Sequence, residues 1–272
     1  MYVAAGPVLP LLLSGYRTAE PGPGRRILDP TTGIDPEETN CILASLPAAE
    51  YERLRPQLQE VELRPGQALI EPGARLTDIW FPRRGLVSLV LTMRDGRAIE
   101  TRCIGYEGML GLPAFLGADR APYQAIVQVP GRAVRMTTST LIEHASTGGA
   151  LHDVLLRYTH AVLQQTAQLA ACNALHSIDQ RCARWLLDAW DATWRDALPF
   201  TRTRTASMLG VRRASVSGAL STFERAGFVE SARGELRILD GAGLEVASCE
   251  CHTVIRRAFA DLRAAVPGPG SA

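Results

Sequence analysis

The chain has 272 residues, enough for two domains that each bury a hydrophobic core. Hydrophobic residues make up 46%, charged residues 21%, and the formal net charge is +1, which excludes a disordered chain and a uniformly basic nucleic-acid-binding protein. No apolar run approaches the ~20 residues that span a bilayer, and the short run Val8 to Leu13 has no basic segment before it. Neither a membrane span nor a signal peptide is expected.

Every cationic side chain apart from histidine is Arg, a bias that a genome rich in G and C produces, so only the clustering of Arg is informative. The six Cys are scattered through the chain, which favours free thiols in a reducing cytoplasm. Residues 1–35 are rich in Pro and Gly and have little periodicity. We expect a disordered tail there, or a start codon assigned too early.

Residues 60–136 consist of short apolar runs separated by Gly and Pro, a pattern typical of a small β barrel or sandwich. Asp95-Gly96 between two such runs is a strong hairpin signal. Further turn signals fall at Pro65-Gly66, Pro72-Gly73 and Pro130-Gly131.

After residue 150 the apolar period becomes helical. Apolar residues recur at spacings of four and three over about three heptads, which predicts a coiled-coil dimer helix, or else a long helix packed on its own domain. The predicted dimerisation residues are Leu151, Leu155, Tyr158, Val162, Gln165 and Leu169, with Cys172 continuing the series. Gln165 is a polar seam position of the kind that sets register.

The segment Arg202 to Phe223 is typical of a helix-turn-helix. Ala206 is small where two helices approach, and Gly210 supplies the positive φ of a sharp turn. From Thr201 to Leu220 there are four Arg and no acidic residue, which is a local basic face suited to phosphates. Glu230 to Leu239 predicts two short strands around Arg233-Gly234, the wing. The predicted DNA-binding residues are Arg202, Thr203, Arg212, Arg213, Ser215, Ser217, Gly218 and Arg233.

These motifs resemble the Crp/Fnr superfamily of bacterial transcription regulators. The motifs that carry the resemblance are Phe81-Pro82 through Gly85, Ile104-Gly105-Tyr106-Glu107-Gly108-Met109, Gly111-Leu112-Pro113, Asp179-Gln180-Arg181, and Leu209 to Ser217. The resemblance implies an α+β chain with a cyclic-nucleotide-binding-like β-roll at 36–149, a dimerisation helix at 150–178 and a winged helix-turn-helix at 179–260. It also implies a cytoplasmic homodimer whose partners are double-stranded DNA and RNA polymerase.

The sequence departs from members that bind cyclic AMP. They carry an acid in a Gly-Glu-Leu-type loop and an Arg that pairs the cyclic phosphate. Here the loop has Leu112, and Tyr123 or Gln124 stands at the Arg position. We therefore expect no response to cyclic AMP, and Gly111, Leu112, Tyr123 and Gln124 are the candidate effector-binding residues. A β-roll that still senses a cyclic nucleotide or another small molecule is the alternative.

An enzyme is not expected, since no nucleophile motif, phosphate loop or carboxylate pair is found. A cupin-like metal site needs His in the strands, and residues 60–136 contain none. Cys249, Cys251 and His252 supply three potential metal ligands, but their spacing on a helix separates them and no second cluster in the sequence completes a tetrahedral site. Neither a metal nor a cofactor is expected.

Overall fold

The computed structural model describes residues 40–146, 148–193 and 195–264, so the tail predicted at 1–35 lies outside it. The helices and strands of the N-terminal unit are α1 Cys41–Ala44, α2 Ala48–Leu54, β1 Gln59–Leu63, β2 Ala68–Ile70, β3 Asp78–Thr92, β4 Ala98–Ile104, α3 Leu112–Phe115, β5 Gln124–Thr137 and α4 Thr138–Ser146. Those that follow are α5 Ala150–Leu175, α6 Ile178–Thr193, β6 Ala197–Leu198, α7 Arg202–Leu209, α8 Arg213–Arg225, β7 Val229–Ala232, β8 Glu235–Ile238, α9 Gly241–Ala247 and α10 Cys251–Ala264.

The N-terminal strands form one antiparallel sheet in the order β1-β5-β3-β4, with β2 also paired to β5. The hairpin predicted at Asp95-Gly96 joins β3 to β4, and Gly96 has a φ of 83°. Pro130-Gly131, predicted as a turn, instead lies inside β5, which runs on through a bulge opposite β3. A Cβ on Gly131 would lie 2.0 Å from the Arg84 carbonyl oxygen, so the two long strands cross at a point where only glycine fits.

The long helix α5 lies across the β unit and is covered on another side by α10. Its inward residues Leu151, Leu155 and Tyr158 are fully buried in the same core as the strands. The Tyr158 hydroxyl accepts hydrogen bonds from Arg102 Nη2 at 2.8 Å and from the Met109 backbone N–H at 2.9 Å. The helix is therefore attached to the β unit by buried polar contacts as well as by apolar packing.

The C-terminal unit folds around a second core that extends into the β unit. Residues of α6, α7, α8 and the wing pack together with Leu86, Ile126 and Val129 of the sheet. Trp185 Nε1 on α6 donates a hydrogen bond of 2.6 Å to Glu100 Oε1 on β4, and Ser88 bonds the other carboxylate oxygen. The two units are thus joined through a half-buried carboxylate.

Replacing Glu100 with Gln is expected to raise the Tm at neutral and alkaline pH. Burial raises the pKa of Glu100 above its usual value, against the opposing effect of the Ser88 and Trp185 hydrogen bonds. A carboxyl whose pKa is raised by folding contributes stability at low pH, and this contribution is lost as the pH rises through the folded pKa. Glutamine keeps an acceptor for Trp185 and a group that bonds Ser88, but it carries no charge to bury.

The measurement is Tm against pH for wild type, Glu100→Gln and Glu62→Gln, the last being an exposed control on β1. The Glu100→Gln gain should shrink as the pH falls toward the ordinary carboxyl pKa. A Tm difference between Glu100→Gln and wild type that is the same at every pH would contradict a raised pKa of Glu100.

Candidate DNA-binding site

The turn between α7 and α8 has the geometry that the sequence predicted. Thr201 caps α7 by accepting a hydrogen bond from the Arg204 backbone N–H at 3.1 Å. Gly210 ends the helix in the left-handed region with φ 65° and ψ 33°. Glycine is required there for a second reason besides the positive φ, because a Cβ at this position would lie 2.7 Å from Ile99 Cδ1 of β4. The turn is therefore set both by backbone conformation and by contact with the β unit.

One face of α8 is apolar and buried, and the other carries polar side chains. Val216, Ala219, Leu220 and Phe223 are at most 2% exposed and pack against α6 and α7. The outward positions, in contrast, are exposed or half-buried. They are Arg212, Arg213, Ala214, Ser215, Ser217 and Gly218. The packing thus leaves the N-terminal end of α8 free to enter a groove.

The charge at this end of α8 is positive. Arg212 and Arg213 are both exposed, and the first turn of the helix carries no acidic residue. The helix dipole adds partial positive charge at the same end. Thr203 on α7 is exposed on the preceding helix. Together these groups offer cationic and hydrogen-bonding contacts of the kind that phosphates and guanine edges accept.

Arg202 was predicted to contact DNA, but its guanidinium is already engaged within the motif. Nη2 lies 2.9 Å and 3.0 Å from the two carboxylate oxygens of Glu224 on α8. The pKa of Glu224 is lowered, first by a hydrogen bond from the Ser231 side chain and then by Arg202, while partial burial opposes both. Arg204 is also engaged, since its Nε donates to Gln128 Oε1 on β5 at 2.6 Å. Arg202 therefore links α7 to α8, and a contact with DNA would have to compete with Glu224 for its guanidinium.

The predicted wing is an antiparallel hairpin of β7 and β8, with β6 added at the edge of β8. Ala232 pairs with Glu235, so Arg233 and Gly234 form the two-residue turn, in which Gly234 has a φ of 87°. Leu236 and Ile238 point into the core, and Arg233 is exposed at the tip. The tip thus presents a second cation beside the helix-turn-helix.

The structure places the predicted dimerisation residues against their own protomer. Leu151, Leu155 and Tyr158 are fully buried, Gln165 is 7% exposed, and Val162 and Leu169 pack at the edge of the same core. Leu151, Leu155, Tyr158 and Gln165 are therefore buried within one protomer and do not form the predicted dimer seam, while Val162 and Leu169 are half-buried at the edge of the core. A second series with the same heptad spacing lies on the opposite face and is exposed throughout. It consists of Leu156, His160, Leu163, Ala167, Ala170 and Ala174.

The candidate effector residues are only partly brought together. Tyr123 hydrogen-bonds with the backbone at Gly111, and burial raises the Tyr123 pKa to about 12. Leu112 is buried in the hydrophobic core. Gln124 instead donates from Nε2 to Glu71 Oε2 at 2.8 Å, near the surface. These four residues therefore do not converge on one polar pocket.

The fold brings together four metal-ligating side chains that sequence spacing does not connect. Cys172 and His176 at the end of α5 lie beside Cys249 and Cys251, which precede and begin α10. The Cys-x₃-His and Cys-x-Cys spacings were present in the sequence, but the pairs are separated by more than 70 residues. His252 points elsewhere, with Nε2 2.9 Å from Asp191 Oδ2.

Comparison with known proteins assigns a family model to each unit. A cyclic nucleotide-binding domain model matches residues 60–146, and a Crp-like helix-turn-helix domain model matches residues 180–247. Among curated proteins, none matches the chain. No helix of residues 40–146, 148–193 or 195–264 is both long and apolar enough to cross a membrane.

Solved structures of bacterial regulators share the fold. FixK2 from Bradyrhizobium japonicum aligns with a TM-score of 0.61 at 16% identity, covering 71% of this chain and 98% of that one. A CRP family transcriptional regulator from Thermus thermophilus has a TM-score of 0.58 at 21% identity, covering 69% and 96%. The c-di-GMP responsive global regulator CLP from Xanthomonas campestris has a TM-score of 0.55 at 16% identity, covering 71% and 99%.

Proposed function

Because the chain belongs to the Crp/Fnr superfamily, we propose that it is a homodimeric transcription regulator that binds a specific DNA sequence through α8 and the wing. The observation that carries the proposal is the exposed N-terminal end of α8, where Arg212 and Arg213 project from a helix whose other face is packed. In helix-turn-helix proteins this end of the second helix reads base edges in the major groove. RNA polymerase belongs to the same proposal, since such regulators act at promoters.

The proposed dimer uses the outer face of α5. In this arrangement the buried series Leu151, Leu155 and Tyr158 holds α5 on its own β unit, and the exposed series around Leu156 and Leu163 faces the second copy of the helix. Leu156 is 48% and Leu163 63% exposed, so two leucines one heptad apart place apolar surface on the outer face of the helix. Small alanines later in the series would let the helices approach closely.

Selection of bound fragments from random DNA by the purified full chain tests the proposal. A two-fold dimer with one α8 per subunit is expected to select an inverted repeat whose half-sites are about 34–36 Å apart, one helical turn. A chain carrying Arg212→Ala, Arg213→Ala and Arg233→Ala is the matched control, since all three residues are exposed. Recovery of no common sequence, or of the same sequence by the triple variant, would contradict sequence-specific binding through this face.

Cyclic AMP is expected to change neither the Tm nor the DNA affinity, even at millimolar concentration. The loop position that holds an acid in cyclic-AMP-binding members is the buried Leu112, and the position of the phosphate-pairing Arg holds Tyr123 or the uncharged Gln124. The pKa of Tyr123 is raised to about 12, so this side chain stays neutral and offers no charge to a phosphate. A thermal melt with and without the nucleotide is the measurement, with a cyclic-AMP-binding regulator as positive control. A clear rise in Tm would show that the site is intact.

An effector-sensing role is the second candidate, and one observation favours it. Arg102 on β4 is 8% exposed, and its Nε has no hydrogen-bond partner among the described residues. It borders a crevice of about 30 Å³ between β4, α5 and α6 that Gln165 also lines. That volume suits a water molecule, so an anionic effector would have to part α5 from β4 to reach Arg102. Cyclic di-GMP, to which the Xanthomonas regulator responds, belongs in the same thermal titration; stabilisation by it alone would favour this role.

A further inference from the structure

Four metal-ligating side chains converge where α5 ends and α10 begins. Cys172 lies in the last turn of α5, His176 follows as its C-cap, and Cys249 and Cys251 lie at the start of α10. One ligand atom from each, three Sγ and one imidazole nitrogen, lie within 4.8 Å of one another. Two of the ligands come from the end of α5 and two from the start of α10, so the Cys-x₃-His and Cys-x-Cys motifs together supply four ligands at one place.

Two of the six separations between the ligand atoms are close to the edges of a tetrahedron around one ion, and all six are within 4.8 Å. Zn–S bonds of about 2.3 Å and Zn–N bonds of about 2.0–2.1 Å imply edges of about 3.5–3.8 Å. Cys172 Sγ lies 3.6 Å from Cys249 Sγ, and Cys251 Sγ lies 3.4 Å from His176 Nδ1. The pairs that are farther apart would have to approach by at most about 1 Å to close the coordination sphere.

The surroundings orient and balance the four ligands. His176 Nε2 lies 3.4 Å from a carboxylate oxygen of Glu250, the arrangement that turns the other ring nitrogen of a histidine toward a metal. Gln168 Nε2 donates to Cys251 Sγ at 3.1 Å. Three thiolates and a divalent ion leave a net charge of −1, and the buried guanidinium of Arg184 lies within electrostatic range of Cys172 and Cys249.

Burial and donor type select the kind of ion. Cys172 and Cys251 are fully buried, Cys249 is 6% exposed, and the His176 side chain is 18% exposed. Four protein ligands leave no open position for a substrate, as in structural rather than catalytic zinc sites. Three thiolates and an imidazole suit a thiophilic ion and disfavour Mg²⁺ or Ca²⁺, which take oxygen ligands.

We propose that each protomer binds one Zn²⁺ through Cys172, His176, Cys249 and Cys251, and that the ion fixes the hinge between the long helix and the DNA-binding unit. His176 has extended backbone, with φ −97° and ψ 149°, and α6 begins two residues later. A metal at this point ties the hinge to α10, which itself packs along α5. The ion thereby sets the direction in which the DNA-binding unit leaves α5.

Cobalt titration of the full chain tests the site without DNA. The reduced protein is stripped with a chelator and titrated with Co²⁺ under reducing, oxygen-free conditions. The expected result is one equivalent per protomer, with the visible bands of tetrahedral cobalt and a thiolate-to-cobalt charge-transfer band that disappear when Zn²⁺ is added. Zn²⁺ should also raise the Tm of the wild-type chain.

Three variants locate the ion. Cys249→Ser and His176→Gln should abolish or strongly blue-shift the cobalt spectrum, and His176 is exposed enough for its variant to fold. Glu250→Gln keeps all four ligands and should weaken metal binding by about 10–100-fold. Cys103→Ser, a thiol on β4 outside the cluster, is the control and should bind as the wild type does.

Two results would overturn the proposal. The first is the absence of a cobalt spectrum from folded, reduced wild-type protein, which includes the case in which Cys172 and Cys249 are found only as a disulfide. The second is a wild-type cobalt spectrum from both Cys249→Ser and His176→Gln. Folding is checked by circular dichroism. Neither result bears on the proposed DNA binding, which the selection of fragments from random DNA tests separately.

Discussion

Replacing Leu156 and Leu163 together with glutamate is expected to convert the dimer into a folded monomer and to lower affinity for the full operator by about 10²–10⁴-fold. The affinity loss follows because a monomer binds each half-site separately, without the effective concentration that the dimer provides. The fold should survive, since both side chains are exposed in the protomer. Charges placed opposite each other in a helical seam repel and are costly to bury.

Sedimentation of the double variant measures the mass, and circular dichroism measures the fold. Leu116→Glu is the matched control, because Leu116 is 58% exposed but lies outside α5, just after α3. A dimer mass unchanged in the Leu156/Leu163 variant would refute the outer-face seam. Leu155→Glu is not a useful probe of assembly: Leu155 is fully buried, and its replacement would unfold the protomer before it reported on the dimer.

Arg213→Ala is expected to cost about 1–3 kcal/mol on the selected operator and to relax the preference at one base position. Arg213 is the first residue of α8, is exposed, and carries the side chain that pairs best with O6 and N7 of guanine. Loss of such a bidentate contact removes discrimination as well as affinity. Binding to a scrambled duplex should change much less.

The measurement is a salt series on operator and scrambled duplex for wild type, Arg213→Ala and Arg53→Ala. Arg53 is an exposed arginine on α2, distant in sequence from the helix-turn-helix, and its loss changes the net charge equally. If Arg213→Ala lowers both affinities by one factor, Arg213 contacts only phosphate, and specificity arises from Ser215, Ser217 or DNA shape.

The local elements could be predicted because their signals lie within a few residues. Asp95-Gly96 determines the β3–β4 hairpin through a glycine with positive φ, and Gly210 determines the turn between α7 and α8 in the same way. The apolar residues Val216, Ala219 and Leu220 share one helix face, so the exposed face that holds Arg212 and Arg213 could be predicted as well. Predictions were wrong where one sequence pattern is compatible with two local structures. Pro130-Gly131, for example, suits either a turn or a bulge in a strand, and it lies inside β5.

The sequence by itself determined the α+β order of the chain, the helix-turn-helix with its wing, and the existence of a long amphipathic helix, since each depends on period and turn chemistry. Only the tertiary structure decided which stripe of α5 is buried, because the series through Leu155 and the series through Leu156 have the same heptad spacing, and packing on the β unit selects between them. The tertiary structure also brings Arg202 into an ion pair with Glu224, 22 residues away. Cys172 and Cys249 are 77 residues apart, and they come into contact only because α10 lies against α5. A metal site depends on distances between ligand atoms, and the spacing of residues along the sequence does not give those distances.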